Sequence, residues 1–162
     1  MSSFVIDGGY KLSGEIHVQG AKNEALEVIS AVLLTDQCVR ITNIPEILDT
    51  LNLIALLENM GVSVQKNGKG DYSFTADRID LDYVFSPRFV ESSAKLRGSV
   101  MIAGPLLARF GSAYFPKPGG DKIGRRRVDT HIDGFVKLGA LYEYDPLYHA
   151  YHLTAPNGLK GA

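Results

Sequence analysis

The feature that most constrains the fold of this chain is an internal duplication. The chain runs twice through one order of elements, which is helix, strand, helix, strand, strand. The matched landmarks are Leu33-Leu34 with Leu106-Leu107, Asp49-Thr50 with Asp129-Thr130, Gly61 with Gly139, and Thr75-Ala76 with Thr154-Ala155. The offset between the copies grows from about 73 to about 79 residues across positions 117–127, so the second copy has a longer loop there. Function is often placed on such a loop of a repeated scaffold.

Hydrophobic periodicity predicts the elements of both copies. Helices are expected over Asn23–Leu34, Ile47–Met60, Leu96–Phe110 and Asp129–Leu138, and strands over Cys38–Thr42, Val62–Gln65, Tyr72–Thr75, Ala113–Phe115, Ala140–Tyr144 and Tyr148–Thr154. Gly104-Pro105 should kink the third helix. Cys38 is expected to be a small core residue of its strand. Residues Phe4–Ile6 and Glu15–Val18 have the pattern of a strand pair that belongs to neither copy.

Charge and composition limit the possible partners. The chain has 17 Lys and Arg against 18 Asp and Glu, a formal net charge of -1, whereas nucleic-acid-binding domains are usually basic. No apolar run reaches the roughly 18 residues that a membrane span needs, and the N-terminus has no secretory pattern. The single cysteine, Cys38, fits a reducing cytoplasm. No His/Cys cluster has the spacing of metal ligands, so we expect a cytoplasmic protein with no metal, cofactor, membrane or nucleic-acid partner.

The lengthened loop of the second copy concentrates positive charge around one acid. Residues 117–127 contain three glycines, the carboxylate of Asp121, and five cations: Lys117, Lys122, Arg125, Arg126 and Arg127. Glycine lets the backbone turn tightly and approach a ligand, and arginine matches phosphate or carboxylate oxygens two at a time. The loop contains no aromatic residue that could stack on a base. These features favour a small anionic ligand over a solvated run of charge.

Two further cations lie near predicted helix starts. Lys22 and Asn23 stand where a strand feeds a helix, and the free N–H groups of a helix start favour anions. The alternative is a plain helix cap in which Asn23 accepts from the first turn. Arg97 opens the third helix and either points at an anion or is a solvated surface charge. His131, considered by itself, is more typical of a structural residue than of a catalytic one.

Together these motifs closely resemble the UDP-N-acetylglucosamine 1-carboxyvinyltransferases, a family of enolpyruvyl transferases. The resemblance rests on Gly20-Ala21-Lys22-Asn23, Leu96-Arg97-Gly98-Ser99, the stretch from Gly104 to Gly111 and the loop from Pro118 to Asp129, and it runs in register through the whole chain. It implies transfer of the enolpyruvyl group of phosphoenolpyruvate to the 3-hydroxyl of UDP-N-acetylglucosamine, with release of phosphate. This is the first committed step of peptidoglycan synthesis, which links the chain to cell-wall biogenesis, cell shape and cell division.

The resemblance also implies roles for single residues. Lys22 and Asn23 match residues that bind phosphoenolpyruvate and the sugar nucleotide, Arg97 matches a residue at the ligand site, and Arg126 matches a loop arginine that contacts anionic groups. The stretch that lines the uridine nucleotide corresponds to Arg127, Val128, Asp129 and Thr130, although the family usually has proline in place of Arg127. Asp121 occupies the position of the general acid. That residue is usually a cysteine alkylated by fosfomycin, and some members carry aspartate.

The family fold is an α/β (α+β) inside-out barrel of βαβαββ units, three in each of two domains. The resemblance therefore implies that residues 1–20 are a strand pair of the second domain, that 21–85 form the first unit, and that 86–162 form the second unit with the catalytic loop 117–127. The chain would be an N-terminal fragment, inactive alone and able to self-associate through uncovered strands. The alternatives are the related shikimate-pathway enolpyruvyl transferase, a non-catalytic phosphate- or nucleotide-binding module, and a nucleic-acid-binding module of related fold.

Overall fold

The computed structural model describes residues 3–117 and 127–161. In the first copy, helix α1 continues into a short 3-10 turn, helix α2 follows strand β1, and two strands close the unit. Their bounds are α1 Lys22–Ala31, the turn Val32–Leu34, β1 Val39–Ile41, α2 Leu48–Asn59, β2 Ser63–Gly68 and β3 Asp71–Thr75. The predicted elements of this copy are confirmed to within a few residues at each end.

The second copy repeats this order after two additional helices. Its elements are α3 Leu81–Val84, α4 Pro87–Ala94, a 3-10 segment Arg97–Ile102, α5 Ala103–Phe110, β4 Ser112–Pro116, α6 Asp129–Lys137, β5 Leu141–Asp145 and β6 Ala150–Thr154. Within the described ranges no helix is both long and apolar enough to cross a membrane.

The two sheets have the same topology, which confirms the duplication. Each has three antiparallel strands, in the order β1-β3-β2 and β4-β6-β5, so the last strand of each copy lies in the middle of its sheet. Val39 pairs with Phe74 in the first sheet, and Ala113 pairs with Leu153 in the second. Side chains of the two middle strands and of the facing helices form one continuous apolar core. The core fixes the helix starts of both copies relative to one another.

The helical part of the second copy differs from the prediction. The expected helix over 96–110 begins as a 3-10 segment and becomes α-helical only at Ala103. Pro105 is the third residue of α5, in its first turn, where a missing N–H costs no bond within this helix; the kink at this proline stays a prediction. The preceding helix α4 was not predicted, although its start carries ordinary signals: Ser86 caps it by accepting from the N–H of Phe89, and Pro87 is its first residue.

The expectation that Cys38 is a core residue is wrong, because its side chain is exposed. Strand β1 begins at Val39, and the half-buried residues of this strand are Val39 and Ile41, with Arg40 exposed between them. In a strand, side chains alternate between the two faces. Val39 and Ile41 therefore take the face that packs on the core, and Cys38 lies before the strand on the solvent side.

No strand forms between residues 3 and 20, where the sequence predicts a pair. The apolar side chains there are almost fully exposed, at 98% for Phe4 and 91% for Ile16. An isolated two-stranded pair is at best marginally stable without a surface to pack on, and residues 3–19 are all exposed. The assignment of residues 1–20, 21–85 and 86–162 to separate units of a larger fold stays a prediction.

Candidate functional site

A cavity of about 290 Å³ lies where the starts of α1 and α2 meet the 3-10 segment and helix α6. Its wall combines polar and apolar side chains from both copies of the duplication: Lys22, Asn23, Leu26, Glu27, Asp49, Arg97, Gly98, Val100, Met101 and His131. The structure therefore brings Lys22 and Asn23, which are adjacent in the sequence, together with the distant Arg97; all three were predicted to bind ligand.

Lys22 is the first residue of α1, and its ammonium group crosses to the second helix. Lys22 Nζ donates to Asp49 Oδ2 at 2.7 Å. The helix N-cap is Ala21, which has no capping side chain, and Asn23 lies inside the helix with its side chain exposed. The alternative interpretation of Asn23 as a plain cap is therefore wrong. The helix start retains N–H groups that can serve an anion.

Arg97 reaches the same cavity from the 3-10 segment, beside a close contact with α1. Gly98 packs directly against Leu26 of α1, where a Cβ atom would lie 3.0 Å from Leu26 Cδ1. A larger residue at position 98 would require the Leu26 side chain to shift. Arg97 itself is only partly exposed, so its position in the cavity wall argues against the solvated surface charge that the sequence left open.

Two further side chains of this wall, Asp49 and His131, had no predicted role in ligand binding. Asp49 pairs with Lys22, and the only signal for it was its match with Asp129 in the second copy. His131 lines the cavity, and its Nδ1 atom is buried with no hydrogen-bond partner in the described residues. A buried imidazole nitrogen without a partner is costly, so a ligand or water that reached this atom would be favoured.

The remaining predicted residues lie apart from the described cavity wall or outside the described ranges. The side chain of Arg127 bonds to the carboxylate of Asp129 through both Nε and Nη2. Val128 is buried in the core, and Thr130 is exposed on α6. The two loop residues with the most direct predicted roles, Asp121 and Arg126, lie outside the residues that the structure describes.

The charge of the described wall is balanced. Lys22 and Arg97 contribute two positive charges, and Glu27 and Asp49 contribute two negative ones. Within residues 3–117 and 127–161 no group of His, Cys, Asp and Glu could hold a metal ion. The arrangement can therefore bind a polar ligand through two cations and a helix start.

Comparison with known proteins shows the family of this chain. The profile of the family described as EPSP synthase (3-phosphoshikimate 1-carboxyvinyltransferase) matches residues 6–160. A protein from Porphyromonas gingivalis named UDP-N-acetylglucosamine 1-carboxyvinyltransferase is 59% identical over 155 residues, covering 96% of this chain and 36% of that protein. A protein of the same name from Bacteroides thetaiotaomicron is 56% identical with the same coverage. The chain thus spans about a third of the length of these curated relatives.

Solved structures support the same fold at low sequence identity. The enolpyruvyl transferase NikO from Streptomyces tendae superposes with a TM-score of 0.73 at 21% identity, over 94% of this chain and 32% of that one. An EPSP synthase from Acinetobacter baumannii superposes with a TM-score of 0.60 at 18% identity, over 92% of this chain and 33% of that one. At these identities the likeness concerns the fold.

Proposed function

This chain belongs to the EPSP synthase family, and we propose that it is part of an enzyme that makes enolpyruvyl-UDP-N-acetylglucosamine. In this reaction the 3-hydroxyl oxygen of UDP-N-acetylglucosamine bonds to C2 of phosphoenolpyruvate, and the phosphate group of phosphoenolpyruvate leaves. Relatives at 59% and 56% identity carry the name of this activity. The proposed setting is the cytoplasm, at the committed step of peptidoglycan synthesis, which supports cell shape and cell division.

The observation that carries this proposal is the convergence of Lys22, Asn23 and Arg97 on one cavity. Both substrates are anions, and two cations beside a helix start supply the charge and the N–H donors that such ligands need. We propose that these three residues contact the carboxylate, phosphate or sugar of the substrates. The nucleotide would lie along residues 127–130, with Arg126 on its anionic groups.

We further propose that Asp121 donates a proton to the methylene carbon of phosphoenolpyruvate as the 3-hydroxyl oxygen, which loses its own proton, adds to C2. The resulting methyl group gives up one proton when the C2–O bond to phosphate breaks, so the methylene group is restored in the product. An ordinary aspartate is ionised at neutral pH and cannot donate. The substrate's own negative charge, together with exclusion of water from the loop, would favour the neutral acid. A carboxylate is a much poorer nucleophile than a thiolate, so we expect resistance of the enzyme to the epoxide fosfomycin.

We propose that the rest of the site is formed by the part of the relatives that this chain does not span. The described chain leaves apolar side chains exposed along its last sheet, including Leu141 at 61% and Tyr142 at 51%. Such a surface suits further strands or a second copy of the chain, so we propose that the 162-residue chain self-associates. We expect it to release no phosphate from the two substrates alone, because part of the site lies outside it.

Substrate binding tests the proposal directly, because binding requires only the part of the site that this chain carries, which is the cavity with Lys22, Asn23 and Arg97. The 15N-labelled chain would be titrated with phosphoenolpyruvate and with UDP-N-acetylglucosamine and followed by NMR. Lys22→Met and Arg97→Met should each weaken binding at least about tenfold, since a hydrogen bond to a charged group contributes about 1.5–3 kcal/mol.

Lys95→Met is the matched control and should leave binding unchanged, because Lys95 pairs with Glu91 on the exposed side of α4.

Three outcomes would contradict the proposal. Neither substrate would bind, or the control would lose as much affinity as the cavity variants, or 3-phosphoshikimate would bind in preference to the sugar nucleotide. The last outcome would favour the shikimate-pathway reaction of the same family.

A further inference from the structure

The ion pair between Lys22 and Asp49 joins two helices across the wall of the candidate cavity. The two residues are 27 positions apart, and the Nζ–Oδ2 distance is 2.7 Å. Their side chains are 45% and 42% exposed. Exposed ion pairs of this kind contribute little to folding stability. The ion pair itself therefore adds little to stability, and the separate benefit of an acid in the first turn of α2 does not depend on Lys22.

The carboxylate is also unfavourable for an anionic ligand if it acts only through its charge. Asp49 lines the same cavity as Lys22 and Arg97, and a negative group beside an incoming phosphate or carboxylate repels it. A residue that repels the ligand directly must act in another way if it assists binding. The available route is through its bond to Lys22.

The start of α2 holds Asp49 in a defined position. The next residue, Thr50, is fully buried, and its hydroxyl bonds to the backbone carbonyls of Pro45 and Ile47 and accepts from the N–H of Ile47. This network anchors the first turn of α2. A lysine has a flexible four-carbon stem, so a fixed acceptor determines where its ammonium group rests before a ligand arrives.

The second copy carries an aspartate at the equivalent place. Asp129, the counterpart of Asp49, is the first residue of α6 and pairs with Arg127, two positions before it. The cation is not an equivalent one, because the offset of about 73 residues matches Lys22 with Lys95, which pairs with Glu91. The two units therefore share an aspartate at the start of the second helix with a cation beside it, and only in the first unit does the pair join two helices.

We infer that Asp49 is a positioning residue, which holds the Lys22 ammonium group at the cavity and thereby prepares it to bind the anionic substrate. This inference rests on the proposed function. Ordering the lysine beforehand reduces the entropy that substrate binding would otherwise cost. Asp49 need not touch the ligand, and its effect should disappear when Lys22 is absent.

A double-mutant cycle on the 162-residue chain tests this dependence, with phosphoenolpyruvate as the probe and NMR titration as the measurement. Asp49→Asn keeps the size of the side chain and removes its charge. We expect it to weaken binding about fivefold when Lys22 is present and to have no weakening effect in the Lys22→Met background. Asp49→Glu, which keeps the carboxylate, should retain more affinity than Asp49→Asn.

Controls separate positioning from a general effect on charge or folding. Glu91→Gln removes a carboxylate from the exposed Lys95–Glu91 pair and should leave binding unchanged. Asp49→Asn should also leave the thermal midpoint close to that of the parent chain. Tighter binding by Asp49→Asn, or equal weakening in both backgrounds, would overturn the inference and leave the proposed function standing. Failure of the parent chain to bind either substrate would overturn the proposed function and the inference with it.

Discussion

Loss of Arg109 should weaken the junction between the two copies. It lies near the end of α5 in the second copy, and its Nη1 atom donates to three backbone carbonyls of the first copy. The acceptors are the oxygens of Leu33 at 3.1 Å, Thr35 at 3.0 Å and Ala76 at 2.7 Å. These carbonyls follow the ends of α1 and β3, where helix and sheet no longer supply donors. One guanidinium group therefore donates hydrogen bonds to the backbone carbonyls at the end of the 3-10 turn after α1 and to the carbonyl that follows β3.

The magnitude follows from this geometry. Nη1 carries two hydrogens, so the three acceptors share at most two full bonds, each a charged hydrogen bond that contributes about 1.5–3 kcal/mol. Because the site is only partly buried, water can replace some of this interaction in a variant. We expect Arg109→Met to lower the free energy of unfolding by about 2–4 kcal/mol. At about 2–4 °C per kcal/mol for a chain of this size, the melting temperature should fall by roughly 5–15 °C.

Urea unfolding followed by circular dichroism measures this change. The control is Arg88→Met on the exposed surface of α4, which should change the free energy of unfolding by less than about 0.5 kcal/mol. The comparison requires equal m-values in the three proteins. If Arg109→Met matched the parent chain or the Arg88→Met control, the three carbonyl contacts would not stabilise the junction.

Two further predictions concern the first copy. The pKa of Glu46 is lowered to about 2 by hydrogen bonds from the Gly70 N–H, Lys66 and the Tyr72 hydroxyl. The stabilisation that the Glu46 carboxylate provides should therefore be complete above about pH 4.5 and lost as the pH falls toward 2. Between these two pH values the urea midpoint of Glu46→Gln should fall less steeply than that of the parent chain. Equal slopes would refute this prediction. Gly61 and its counterpart Gly139 both have positive φ, but only at Gly61 would a Cβ atom clash, with the carbonyl oxygen of Arg78. Gly61→Ala should therefore cost at least about 1 kcal/mol more than Gly139→Ala in the same urea assay, and equal costs would count against the clash.

Much of the fold could be predicted because its signals are local. Apolar periodicity located the helices and strands of both copies, and the glycines after α2 and α6 marked where those helices end. Both Gly61 and Gly139 have the positive φ that this position requires. The extra helix α4 was within reach as well, since its capping serine and first-turn proline are adjacent in the sequence. These capping signals mark its start, and apolar periodicity taken alone did not predict it.

The sequence by itself determined the duplication, the order of elements in each copy and the residue types that suit an anionic ligand, because each of these depends on neighbours along the chain. Only the tertiary structure decided which of those residues meet. Lys22 and Asp49 are 27 positions apart, and Arg109 reaches a carbonyl 76 positions away, so no local pattern relates them. The exposure of Cys38 was decided in the same way. The face of β1 that turns inward depends on how the sheet packs against helices from both copies, and that packing is a property of the whole core.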